Sequence, residues 1–204
     1  SNETKSSNAM EKHGFIKCVD FLEEQGFRIK SLITDRHIEI AAHVRKTMPD
    51  TEHYYDVWHV AKSIKKRLMK IQRKKDCHII QEWSKSIINH LYWCAADESI
   101  RELIVDKWKS ILNHIQNVHV HDSLIYPRCA HPPLSEDEPR KKWLDCTTQA
   151  YVELEKVVLN KRLLKDIAQL STRQQTSSLE AYNSLLLQFA PKLRAFSHRG
   201  MLCR

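Results

Sequence analysis

The chain has 204 residues, 42% of them hydrophobic, enough for one domain with a substantial buried core. Its 33 Lys and Arg against 25 Asp and Glu leave a net charge of +8, which favours an acidic partner such as nucleic acid over a neutral one. The six cysteines lie far apart with no Cys-x-x-Cys pair, nothing at the amino end resembles a signal peptide, and no apolar run is long enough to span a bilayer, so a reduced, intracellular, non-membrane setting is expected.

With only 3 Gly and 6 Pro, the sequence expects long helices and few tight turns. Residues 1–7 are polar, and Asn8 is a candidate cap for a helix over 9–24, where Phe15, Cys18, Val19 and Leu22 recur at helical spacing. Gly26 is placed to end that helix. A short apolar run, Ser31-Leu-Ile-Thr34, then stops on Asp35, and residues 36–47 carry Ile38, Ile40, Ala41, Ala42 and Val44 as a loose helical stripe. Pro49-Asp50 breaks this helix, a second short run with Tyr54 and Tyr55 stops on Asp56, and Val57-Trp58-His59-Val60 opens the next helix. Strand, helix, strand, helix implies a parallel pair of buried strands, with Asp35 and Asp56 at the carboxyl edge where α/β sites gather.

From His59 onward the pattern is helical. Residues 62–75 place Lys62, Lys65, Lys66, Arg67, Lys70, Arg73, Lys74 and Lys75 around an apolar line of Ile64, Leu68 and Ile71. Such a stripe is either a solvated face or a track for phosphates, which would release counterions on binding. Helices are expected over 79–96 and 99–117, with Trp83, Trp93 and Trp108 as core or interface residues rather than platforms for bases. Residues 118–139 read as a long irregular loop, and 140–170 as one long helix or a broken pair. The organisation is then a partial core over 1–57, an all-helical insertion over 58–170, and a carboxyl-terminal helix within 171–204.

Three groups of residues carry chemistry. Ser177-Ser-Leu-Glu180 is a capping box on its face, yet it also places the Glu180 carboxylate one turn into a helix. His119, His121, Cys129 and His131 fall in one loop and supply nitrogen and sulfur ligands of the kind Zn²⁺ prefers, although their spacing matches no standard finger. Asp56-Val-Trp-His59 sets an acid and an imidazole one helical turn apart, and the simple alternative is that Asp56 caps the helix.

This order of elements resembles the second half of an RNase H-like DDE/D transposase domain. Ile33-Thr34-Asp35-Arg36 matches the strand-end position of that superfamily's second catalytic Asp, and Ser178-Leu179-Glu180-Ala181 the helix that carries its third acid. Asp56-x-Trp-His59 is similar to the Asp-x-Phe-His of bacterial insertion-sequence transposases and takes the place of the Cys-x-x-His of hAT and Mutator-like elements. Phrases such as ITDRH, DVWHVAK and TSSLEAYNSLLLQFAPK also resemble transposase-derived proteins of animal genomes. The resemblance implies an α/β, mostly helical, incomplete RNase H-like fold with two parallel strands remaining. It implies DNA cutting and joining at transposon ends with Mg²⁺ or Mn²⁺ on Asp35 and Glu180, His59 orienting the site or touching the backbone, and Asp56 in a structural role. Lys62, Lys65, Lys66, Arg67, Lys70, Arg73 and Lys74 would lie along the phosphates, and the setting would be the nucleus. The family's first catalytic Asp and first three strands have no counterpart in these residues. The expectation is therefore a fragment that is inactive alone, with the missing strands of its own domain, transposon-end DNA and a second copy of the chain as candidate partners. The other readings are a non-catalytic helical module that binds DNA or protein, and a chain that does not fold stably by itself because its strand edge is open.

Overall fold

The computed structural model describes residues 6–96, 100–132, 142–171 and 177–191, with 194, 197, 199, 200 and 203 beyond. Two compact units divide it, Ser1–Arg173 and Gln174–Arg204.

The first unit opens with helix α1 (Ser7–Glu24), capped by Ser6, whose side chain accepts from the Ala9 amide at 3.2 Å; the cap expected at Asn8 is thus two residues earlier. Gly26, at φ +82°, ends the helix as expected, and the amides of Gly26 and Phe27 close onto the Glu23 and Leu22 carbonyls. Strands β1 (Ser31–Thr34) and β2 (Glu52–Tyr55) pair in parallel, from Ser31 opposite Glu52 to Thr34 opposite Tyr55. Helix α2 (Ile38–Thr47) makes the crossover that parallel strands require. It buries Ile40, Ala41 and Val44, and Ile40 and Val44 join Val19 of α1 and Met48 in a small cluster against which Phe15, Ile29 and Leu32 pack. The strands are not buried as the sequence reading held: Ser31 and Glu52 are exposed and the rest half-buried, because two four-residue strands are too few to be covered on both faces.

A single bridge extends this sheet. After the helical region the chain returns to β2, where the Tyr55 amide donates to the Gln169 carbonyl at 2.7 Å and the Ser171 amide donates to the Tyr55 carbonyl at 2.9 Å, a parallel bridge between Tyr55 and Leu170. Among the described residues no strand pairs with the outer edge of β1.

The main core lies between helices α3 (Val57–Ile71), α4 (Ile79–Ala95), α5 (Arg101–Lys109), α6 (Ile111–His114), α7 (Gln149–Val158) and α8 (Lys161–Ile167). Val60, Ile64 and Leu68 of α3 face Ile80, Trp83, Ile87 and Leu91 of α4, each at the spacing that lines one side of a helix. Trp108 is fully buried and its indole N–H donates to the Val158 carbonyl at 3.1 Å, so the largest side chain of this core carries no unpaired polar atom. Trp83 is buried too, while Trp93 is partly exposed.

Several boundaries differ from the sequence reading for local reasons. The helix expected over 99–117 divides at Ser110, whose hydroxyl donates back to the Lys107 carbonyl at 2.7 Å, and residue 99 lies outside the described residues. The stretch 140–170 becomes α7 and α8, started by Thr148, which accepts from the Tyr151 amide, and by Asn160, which accepts from the Leu163 amide. Helix α3 stops at Ile71, so Arg73 and Lys74 lie past the end of the basic helix that was to include them. The second unit contains helix α9 (Ser177–Phe189). The polar run 172–176 and the Ser177 side chain expected to cap α9 lie outside the described residues. The molecule is thus the mostly helical α/β protein with two parallel strands that the sequence expects, and no helix among the described residues is long and apolar enough to cross a membrane.

Candidate functional site

The parallel register sets the two strand-end acids side by side. Thr34 and Tyr55 are partners, the Asp56 amide donates to the Thr34 carbonyl at 3.0 Å, and Asp35 and Asp56 therefore follow at the same edge of the sheet. Their environments are opposite. Asp35 is exposed, while Asp56 is 1% exposed and its Oδ1 accepts from the Trp58 amide at 2.9 Å as the N-cap of α3. The Thr34 hydroxyl donates to the Asp35 carbonyl at 2.7 Å and lies 2.8 Å from His53 Nε2. Burial, then the nearby Arg45 cation, lowers the His53 pKa. Arg36, next to Asp35, donates to Asp166 of α8 at 2.9 Å and to the His59 carbonyl at 3.5 Å, and so ties the sheet edge to two helices. His59 is half-buried, with its ring edge-on to Trp58 at 4.8 Å, and the Lys62 ammonium stands over the Trp58 ring at 4.6 Å. The Arg36–Asp166 pair was missed by the sequence reading, since nothing local marks partners 130 residues apart.

Of the expected DNA-facing cations, Lys62, Lys65, Lys66 and Lys70 are exposed along α3, opposite its buried face, and Arg67 is half-buried. Arg73 is exposed beyond the helix, and Lys74 is engaged with Glu153 of α7. Glu180 is an exposed residue in the first turn of α9, in the second unit.

A second constellation lies at the end of α6. Asn117, at φ +63°, turns the chain out of that helix, a conformation asparagine tolerates better than most residues. Residues 119–129 then fold back as a short antiparallel hairpin, with the Cys129 amide donating to the His119 carbonyl at 3.0 Å and that of His121 to the Pro127 carbonyl at 2.8 Å. This brings together His114, His119, Cys129 and His131, one potential ligand atom from each lying within 4.8 Å of all the others. His114 takes the place that the sequence reading gave to His121. His121 lies just outside, its Nε2 3.3 Å from Cys129 Sγ and its Nδ1 3.2 Å from the Asn113 amide nitrogen. The signal for His114 was present in Asn-His-Ile-Gln-Asn-Val-His, where an imidazole on the last helical turn precedes the loop, but only the turn at Asn117 shows that it points back at the hairpin.

The three imidazoles meet edge to face at 4.9 to 5.2 Å between ring centres, and Trp143 packs edge-on against His114 and His119. Burial, and next the neighbouring imidazoles, push the His114 pKa down to about 4, and burial lowers those of His119 and His121 and raises that of the Cys129 thiol. Three imidazole nitrogens and one sulfur can hold a metal ion such as Zn²⁺. Among the described residues this is the one group of three or more His, Cys, Asp or Glu side chains brought that close.

The model of the Mutator-like transposase family matches residues 1–132, about two thirds of the chain. This chain belongs to that family. No curated protein and no solved structure matches it. In this Mutator-like transposase sequence the matched stretch takes in Asp35, Asp56, His59, the whole of α3 and all four members of the His/Cys cluster, and it ends before α7, α8 and Glu180.

Proposed function

We propose that these residues form part of a transposase catalytic domain that cuts and joins DNA, with Asp35 as a divalent-metal ligand at the sheet edge; the sequence resemblance assigns the same role to Glu180. The observation that carries this reading is the placement of Asp35: an exposed carboxylate directly after β1, within the stretch matched to the Mutator-like transposase family. The donor chemistry fits Mg²⁺ or Mn²⁺ in part, since these ions take oxygen ligands and Asp35 offers them, whereas Asp56 is buried and already accepts from the Trp58 amide. When bound, a pair of such ions activates water or a 3′-hydroxyl and stabilises the leaving oxygen. The chain's own part is to hold the Asp35 backbone between the Thr34 hydroxyl and the Arg36–Asp166 pair, and to present the α3 lysines to phosphate. His59, one helical turn after Asp56, orients the site or touches the DNA backbone. The outer edge of β1, unpaired among the described residues, is where further strands carrying another acid would pair, and with Asp35 and Glu180 alone these residues are expected not to cut DNA.

The test is nicking of supercoiled plasmid in Mn²⁺. The isolated chain is expected to leave the plasmid intact, while a longer polypeptide that supplies the further strands nicks it and loses that activity with Asp35→Ala or with Glu180→Ala. Cleavage by the longer polypeptide that survives Asp35→Ala would sink the assignment.

A second reading, a non-catalytic DNA-binding helical module, rests on the exposed lysines of α3. The double change Asp35→Asn with Glu180→Gln leaves DNA affinity unchanged in that case, and loss of the Mn²⁺ enhancement of binding would favour the catalytic reading instead.

A further inference from the structure

The hydrogen bonds around the His/Cys cluster leave the ring nitrogens in states suited to one task. His119 Nε2 is 3.1 Å from the Asn117 side-chain oxygen, an acceptor, so Nε2 carries the proton and Nδ1 carries the lone pair. That Nδ1 is buried and has no hydrogen-bond partner. A buried imidazole nitrogen with an empty lone pair direction costs free energy unless something electrophilic meets it. His131 is arranged in the mirror sense: its Nδ1 is 2.7 Å from the Pro132 carbonyl, so Nδ1 donates and Nε2 is left as the base. His114 Nδ1 lies 3.6 Å from Cys129 Sγ. In a tetrahedral zinc site, with bonds of ~2.0–2.1 Å to nitrogen and ~2.3 Å to sulfur, the nitrogen-to-sulfur edge is ~3.6 Å.

We propose that His114, His119, Cys129 and His131 bind one Zn²⁺ ion as a closed structural site, with His121 as a hydrogen-bond donor to the metal-bound thiolate. The role of His121 follows from Asn113. The Asn113 amide nitrogen donates to His121 Nδ1, which leaves His121 Nε2 protonated and aimed at Cys129 Sγ from 3.3 Å. The contacts of His119 with Asn117 and of His131 with the Pro132 carbonyl are likewise the outer partners that orient zinc-ligating imidazoles. Zinc is favoured over a hard cation because three nitrogens and a sulfur offer no oxygen donor, and four protein ligands leave no position for substrate. The ion clamps the hairpin at 119–129 to the end of α6 and holds Trp143 over the ligand rings, in a segment whose only regular pairing is the single bridge between Val120 and Arg128 among the described residues. This site stands apart from the transposase reading, and either can fail alone.

The test uses the full chain. Metal analysis after dialysis against metal-free buffer is expected to find about one zinc per chain, and stripping with a chelator to lower the melting temperature, with recovery on adding zinc alone. Reloading the stripped protein with Co²⁺ is expected to give a tetrahedral visible spectrum with a thiolate charge-transfer band. Cys129→Ser should abolish that band, His114→Asn should lose zinc, and His121→Asn should keep one zinc while binding it roughly ten- to a hundredfold more weakly, as outer partners of metal ligands do. Because a variant can fail to fold, the stripped and reloaded natural chain is decisive. No thiolate band with Co²⁺ and no recovery of melting temperature with zinc overturn the site, and loss of zinc in His121→Asn with retention in His114→Asn overturns the ligand set.

Discussion

At the residue scale, Asp35 and Asp56 look alike in sequence, each closing a short apolar run before a helix, yet only Asp56 is taken out of solvent. Its buried carboxylate caps α3, so Asp56→Ala is expected to destabilise the chain by ~1–2 kcal/mol in urea denaturation, whereas Asp56→Asn, which retains an acceptor oxygen, costs less. A destabilisation by Asp35→Ala as large as that of Asp56→Ala would contradict this division. Glu153 of α7 tests the electrostatics of the helical core's rim. Hydrogen bonds from the Lys74 and Lys156 ammoniums hold its pKa down to about 2. A carboxylate whose folded pKa is depressed contributes stability above its unfolded pKa of about 4.5 and loses it as pH falls towards 2. Thermal melts between pH 6 and pH 2 should therefore fall less steeply for Glu153→Gln than for the natural chain; parallel curves would remove Glu153 from the account.

At the element scale, α3 is the clearest case of one sequence serving two surfaces. Val57, Val60, Ala61, Ile64, Leu68 and Ile71 are buried, and the lysines between them are left outside in a row. If that row follows phosphates, replacing Lys65, Lys66 and Lys70 by Ala should lower the slope of log affinity against log salt by roughly 2 to 3, since each phosphate contact contributes ~0.9. An unchanged slope would make the row a solvated face. The helices were legible in advance because their periodicity is local, and so was the parallel βαβ order. Their ends were not: at Ser110 one hydroxyl bonds back to the Lys107 carbonyl, and α3 stops at Ile71, ahead of the left-handed turn at Asp76.

At the scale of the whole molecule, the main core is built of residues from Val57 to Leu170 and lies within the unit Ser1–Arg173. A chain ending at Arg173 is therefore expected to unfold in one cooperative urea transition, and a transition in two steps would show that this core does not act as a unit.

The sequence by itself determined the class of the fold, the order of its elements, the acids at the strand ends and the loop that supplies His119, Cys129 and His131 to the cluster, because each of these rests on spacing along the chain. Tertiary structure alone decided which residues meet. It joined Arg36 to Asp166, brought residues 169–171 back to β2, and chose His114 over His121 by turning the chain at Asn117. Such contacts depend on where a chain of fixed local geometry is folded back by its core: nothing near Asp166 names Arg36 as its partner, and His114 and Asn117 mark a candidate ligand and a turn but not the cluster they close.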